Sequence, residues 1–212
     1  MADARDMEIE DEFELEEEDL EGEEEDEDLA LDPERAARRV AAMSFIRRLG
    51  DPVLKSRATP VDRFDESLVS QVSRMAGLMD DAIGLGLAAP QLGISQRLLV
   101  YRVGPDAPLV ALVNPEYEWK SDEEEPAEEG CLSIPGINVD VERPIHVRVR
   151  ALDERGEERV VEASGLEARV IQHEIDHLDG VLILERTSRE QRREAMRALR
   201  DREQRERAEQ AA

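Results

Sequence analysis

The sequence predicts an α+β fold: strands and sheets packed around a central helix, with a charged helix behind it at the C-terminal end. Three observations carry the prediction. Residues 64–82 repeat apolar side chains at helical spacing. Residues 97–163 hold several runs of alternating apolar and polar residues. Residues 164–178 then return to helical spacing, with two histidines four positions apart.

In chain order, the first predicted element is a helix over 64–82, whose apolar face is Leu68, Val72, Met75, Leu78 and Met79. Strands follow at 97–103, 109–114, 137–141, 145–152 and 157–163. Asp153-Glu154-Arg155-Gly156 supplies turn residues between the last two, which predicts a hairpin. The next helix opens with Ser164 and Glu167 at capping-box spacing and continues through Leu166, Val170, Ile171, Ile175 and Leu178. Gly180 is its expected stop. A short apolar run at 181–184 leads into 185–210, where nine arginines and seven acids, with i,i+4 pairs such as Arg197/Asp201, Asp201/Arg205 and Arg202/Glu206, predict an exposed helix.

The chemistry gathers on the second helix. In Gln172-His173-Glu174-Ile175-Asp176-His177-Leu178, residues i and i+4 share a face, so His173 and His177 can both turn a ring nitrogen to one ion. Glu174, rotated by about 100°, reaches the space beside it. A bare HExxH occurs by chance in unrelated helices, so the rest of the chain decides. Cys131 is the only cysteine, and a thiolate with two imidazoles leaves one tetrahedral position open, as a catalytic site requires. The metzincin extension is excluded because Ile183 stands where its third histidine belongs. A thermolysin-like third ligand from Glu185, Glu190 or Glu194 fits by spacing alone, and Cys131 is the stronger candidate. Elsewhere, a lone cysteine is commonly a small buried hydrophobe and a lone histidine a structural residue. His146 falls on the polar side of an alternating run and reads as a surface residue.

Two further segments surround these groups. Gly84-Leu85-Gly86-Leu87-Ala88-Ala89-Pro90-Gln91 is too small in side chain to fill a core and suits a backbone against which a substrate lies. Its polar side chain is Gln91. Glu129-Gly130-Cys131-Leu132-Ser133 encloses the thiol with little bulk.

Together the three segments resemble the signature motifs of the peptide deformylases. The resemblance covers about Met43 to Arg189 and begins with Ile46-Arg47-Arg48-Leu49-Gly50-Asp51-Pro52-Val53-Leu54. It implies Cys131, His173 and His177 as ligands of one divalent metal ion, Glu174 as general base and acid, and Gln91 and the Leu132 N–H as oxyanion donors. Gly84, Leu85, Gly86, Glu129 and Gly130 are implied to line the substrate edge, with the peptide adding as a short strand. On that basis Gly86→Val is expected to raise KM more than it disturbs the metal. The family implies Fe2+ as the native ion, although one thiolate and two imidazoles suit Zn2+, Ni2+ and Co2+ as well. The implied substrates are formyl-Met nascent polypeptides, from which formate is released. The alternatives are a metallopeptidase cutting internal amides and a silent binding module.

Composition sets the organisation. Of 53 acidic residues, 19 lie in residues 1–32, where Arg5 is the only base; the remainder carries 34 acids and 27 bases, so its net charge is −7 against −25 for the whole chain. Residues 1–42 are therefore expected to be an acidic, disordered extension, 43–189 the catalytic domain and 190–212 a charged helix and tail. A chain begun at Met43, itself a possible start, is expected to keep its fold and turnover. No basic and apolar leader and no membrane-length apolar run is present, and one cysteine permits no internal disulfide. A cytoplasmic monomer with no membrane and no sequence-specific nucleic acid partner is expected. Transient ribosome contact through the C-terminal helix is an implied further partner.

Overall fold

The described residues of the computed structural model, 32–104 and 106–210, form four α-helices and seven strands. In order they are α1 (Pro33–Met43), α2 (Glu66–Asp81), β1 (Gly86–Ala88), β2 (Leu98–Tyr101), β3 (Val110–Lys120), β4 (Glu124–Gly130), β5 (Asn138–Pro144), β6 (His146–Leu152), β7 (Glu158–Ser164), α3 (Gly165–Leu178) and α4 (Arg189–Gln210). Of these, α1, β1 and β4 have no counterpart among the elements expected from the sequence. Short 3-10 turns occupy Pro52–Lys55, Ala89–Leu92 and Ile183–Glu185.

An antiparallel sheet of five strands, ordered β1-β2-β3-β6-β7, is covered on both faces. Leu98 and Val100 of β2 meet the α2 stripe of Leu68, Val72, Met75 and Met79; Leu99 and Tyr101 point the other way, toward Ala168, Ile171, Ile175 and Leu178 of α3. Burial on both faces explains why β2 reads as a continuous apolar run with no alternation. Each fully buried Leu or Met side chain contributes about 1.5–3 kcal/mol, so these two stripes fix how both helices sit. Strands β4 and β5 form a separate pair, and Val139 and Val141 of β5 join Leu54, Ile134, Leu182, Ile183 and Leu184 in a third cluster. Helix α3 touches strands of both sheets, which agrees with the expected central helix.

Local chemistry sets the boundaries. Asp65 caps α2 by accepting from the N–H groups of Ser67 (3.0 Å) and Leu68 (3.3 Å). Asp153 Oδ1 accepts from Arg155 and Glu157, both at 2.9 Å, and Gly156 takes φ +85°, so the expected β6–β7 turn forms. Strand β3 runs on to Lys120, past the predicted stop at 114. The register shifts after Val113, and Asn114 adopts φ +53° and bonds the backbone of Val61 in both directions (2.8 and 2.9 Å), which carries the strand past Pro115.

Other expectations need correction. Residues 33–42, assigned to a disordered extension, belong to α1, capped by Asp32 with Pro33 at its first position. It packs on α2, where Arg38 meets Asp81 at 3.7 Å. A chain begun at Met43 would lose this helix, so its fold would not be left whole. Residues 1–31 lie outside the described residues. Helix α4 is not solvated all round, since Ala195 and Leu199 are buried in the third cluster. Among the described residues Asp201 pairs with neither Arg197 nor Arg205, and the Glu206 side chain lies outside them. Arg202 donates to the Pro135 carbonyl. No helix among the described residues is long and apolar enough to cross a membrane.

Candidate metal centre and cleft

Helix α3 divides its side chains between two directions. Ile171, Ile175 and Leu178 enter the core, while His173 and His177 turn toward Cys131 on the loop after β4. Its end is closed by two reverse hydrogen bonds, Gly180 N–H to the His177 carbonyl (3.3 Å) and Val181 N–H to the Asp176 carbonyl (2.9 Å). Gly180 sits at φ +74°, so the expected stop is a Schellman motif. The expected capping box does not form. Ser164 Oγ lies 2.8 Å from His146 Nδ1, and Glu167 accepts from the Tyr101 hydroxyl at 2.9 Å. Leu166, placed on the apolar stripe by spacing, is exposed at the cleft.

The ligand atoms of Cys131, His173 and His177 all lie within 4.8 Å of one another, and Cys131 Sγ is 3.3 Å from His177 Nε2. His173 Nδ1 faces Glu129 Oε2 at 3.0 Å, which leaves its Nε2 for the centre. Burial pushes the Cys131 thiol up, but the charge and hydrogen bonds of His177 and His173 outweigh it and hold the group well below the usual thiol range. Burial likewise lowers His173, and its bonds to Cys131 and Glu129 reverse that and raise it well above the usual imidazole range. The thiolate is thus favoured in this pocket, which is the state of Cys131 that a divalent cation needs. One sulfur and two nitrogens, buried together, fit such an ion.

Glu174 is buried beside these groups, and burial raises its carboxyl above the usual range against the pull of His173 and His177. Its Oε2 has no hydrogen-bond partner. Gly86 makes room for it, because a Cβ there would stand 2.5 Å from Glu174 Oε1. Gln91 is held by its oxygen, which accepts from the Ala88 N–H at 2.8 Å; its NH2 then faces Ser133 Oγ (3.3 Å) and Cys131 Sγ (3.9 Å). The N–H of Leu132 donates to no described residue.

A cleft of about 350 Å3 opens onto Glu174, His173, Cys131 and Gln91. The expected substrate-edge residues Gly84, Leu85, Gly86, Glu129 and Gly130 all line it, as does Leu132. Not all of the 84–91 segment is free to meet a substrate, since Leu87, Ala88, Ala89, Pro90 and Gln91 are buried. The small side chains there let β1 run close to α3.

Glu129 lines the cleft and has a further role. Its carboxylate is turned inward, accepting from Arg143 Nε (2.6 Å) and Nη2 (2.9 Å), from Arg169 Nη1 (2.8 Å) and from His173, so the side chain positions His173. Against the cost of burial, His173 and Arg143 hold its pKa down to about 2. Arg143 also reaches Asp176 (2.9 Å), which Arg186 grips from the other side (2.5 and 3.0 Å). Sequence reasoning missed this chain of ion pairs. Its trace was an arginine at an inward position of β5, in step with Val139 and Val141. Arg143→Met strands two buried carboxylates with fewer cations, so unfolding of the metal-loaded protein in urea is expected at a stability lower by about 3 kcal/mol or more. An unchanged midpoint would show that Arg169 and Arg186 suffice.

Fold and cleft define the class: a mixed α and β domain with a candidate metal centre between its central helix and the loop after β4. A sequence model of the polypeptide deformylase family matches residues 43–193. The peptide deformylase of Natranaerobius thermophilus is 48% identical over 145 residues, 68% of this chain and 92% of its own length. The crystal structure of a peptide deformylase from Legionella pneumophila superposes with a TM-score of 0.72 at 42% identity, covering 77% of this chain and 96% of that one. A peptide deformylase from Synechococcus elongatus, in complex with actinonin, gives 0.70 at 43% identity over 72% of this chain and 85% of its own. The chain belongs to the polypeptide deformylase family, metal-dependent enzymes that hydrolyse the N-formyl group of newly made polypeptides.

Proposed function

We propose that this chain removes the formyl group from N-terminal formyl-Met through Cys131, His173 and His177 as ligands of one Fe2+ ion, Glu174 as proton carrier, and Gln91 and the Leu132 N–H as oxyanion donors. The observation that carries the reading is the convergence of the three ligand atoms within 4.8 Å, beside a buried carboxylate whose Oε2 is unpartnered. When bound, the ion supplies Lewis acidity and makes water a nucleophile near neutral pH. Zn2+, Ni2+ and Co2+ suit the same donors.

Glu174 takes a proton from the attacking water and delivers it to the departing amine. The negative oxygen that develops on the formyl carbon meets the Gln91 amide, aimed by the Ala88 N–H, and the unused Leu132 N–H. Glu129 keeps the His173 ring oriented throughout. Gly84, Leu85, Gly86 and Gly130 offer a small, partly apolar edge for the methionine side chain and the peptide that follows. The chain acts in the cytoplasm as a monomer, and the exposed Arg192, Arg193, Arg197 and Arg200 of α4 are the surface for transient contact with the ribosome.

The products test the reaction type. Formyl-Met-Ala-Ser is expected to yield formate and intact Met-Ala-Ser; cleavage between the residues would replace this reading with a metallopeptidase.

A further inference from the structure

Helix α1 stands at the cleft although all of it before Met43 precedes the residues matched to the family. Arg39 and Met43 line the same cleft as Glu174 and Cys131. The helix is held there by its Asp32 cap, by burial of Ala42 and by Arg38, which pairs with Glu34 at 3.2 Å and with Asp81 at 3.7 Å. Asp81 ends α2, and Ile83, Gly84 and Leu85, directly after it, form the adjoining rim. Arg38 is thus spent on holding the helix. Arg39, its neighbour, is exposed and makes no ion pair or hydrogen bond with any described residue.

We propose that α1 is a wall of the substrate cleft and that Arg39 is a specificity-determining residue, which selects peptides carrying a carboxylate a short way downstream of formyl-Met. The proposal rests on the deformylase reading above and adds a substrate subclass to it. The formyl carbon must lie against Glu174 and Cys131 in the depth of the cleft, so the following residues leave across the rim. There Ile83 and Leu85, each more than two-fifths exposed, offer apolar contact and Arg39 the nearby positive charge. The acid on the β4 side, Glu128, is engaged by Asn138 Nδ2 at 3.0 Å. A guanidinium in water at a cleft mouth gives a modest, salt-sensitive preference and not an absolute one. The carboxylate can be an Asp or Glu side chain or the chain end of a short peptide.

The test compares kcat/KM for formyl-Met-Ala-Asp-amide, formyl-Met-Ala-Asn-amide and formyl-Met-Ala-Asn with a free carboxyl end, using the full metal-loaded chain and its Arg39→Gln variant. Comparing each ratio between the two enzymes cancels the influence of Glu128, which both share. Arg39→Gln is expected to lower the Asp-to-Asn ratio, the free-acid-to-amide ratio or both by about threefold at low salt, the size of an exposed ion pair. The change should sit in KM, with kcat and metal content unmoved, and vanish near ~1 M salt. Which ratio moves identifies the source of the carboxylate. If neither moves, the proposal is overturned. Absence of turnover on every formyl peptide is a different result, which removes the deformylase reading and this proposal with it.

Discussion

Glu174→Ala is expected to lower kcat for formate release by at least about 10²-fold, the usual contribution of a positioned general base, while the metal stays bound. The two halves of this expectation have separate grounds. The ion's donors are the Cys131 sulfur and two imidazole nitrogens, none of them from Glu174. The carboxylate sits where proton transfer is needed, at the wall of the cleft, with one buried oxygen that no group among the described residues satisfies. A buried unpartnered polar atom costs stability, so the alanine variant should unfold no earlier than the parent in a thermal scan. Activity lost without stability lost marks a group kept for chemistry. Near-native turnover by the variant would show that another base serves.

The second large effect is expected at Gly86. The sequence reading placed Gly86 on the substrate edge, which predicts that Gly86→Val acts on KM. The geometry moves the effect to kcat, since the first carbon of any side chain there would come within 2.5 Å of Glu174 Oε1, 2.7 Å of its Cγ and 2.8 Å of its Cδ. The carboxylate has to swing away, and displacing a reacting group by about 1 Å can cost ~10²-fold. Steady-state kinetics with metal analysis should therefore show kcat reduced on that scale with the ion retained. A variant that keeps kcat and raises only KM would restore the earlier reading of Gly86 as a substrate contact.

What the sequence revealed of this fold follows from which signals are local. Helix α3 was legible because its apolar stripe and its His173/His177 pair share one period, and β6–β7 because Asp153 and Gly156 mark the turn between two alternating runs. Strand β4 was not, since Glu124, Glu125, Pro126, Glu128 and Glu129 are poor strand formers whose pairing is decided by β5 across the ladder. Helix α1 was missed because residues 33–42 were grouped with the acidic run before them, although they hold three arginines and one acid and keep a helical spacing of alanine and valine; its contact with α2 rests on Ala42 and an ion pair, which only the fold reveals. At the site, the thiol, both imidazoles and Glu174 stood out by residue type and spacing, while the role expected of Gln91 came from the family resemblance. The partners that orient them did not. Glu129, Arg143, Asp176 and Arg186 are ordinary charged residues in sequence, and become a chain of ion pairs, buried at the first three and closed from the surface by Arg186, only when β4, β5 and α3 meet. Leu166 was misplaced for a related reason: helical spacing shows which residues share a face, but not where the facing sheet ends and an open cleft begins.

The most direct measurement of metal-dependent deformylation is metal content by elemental analysis on protein purified without oxygen, paired with formate release from formyl-Met-Ala-Ser by the same sample. The expected result is one transition-metal ion per chain, Fe2+, with turnover that tracks occupancy and decays in air as ferrous iron and the Cys131 thiolate oxidise. Formate release at full rate from protein that holds no transition metal would contradict it.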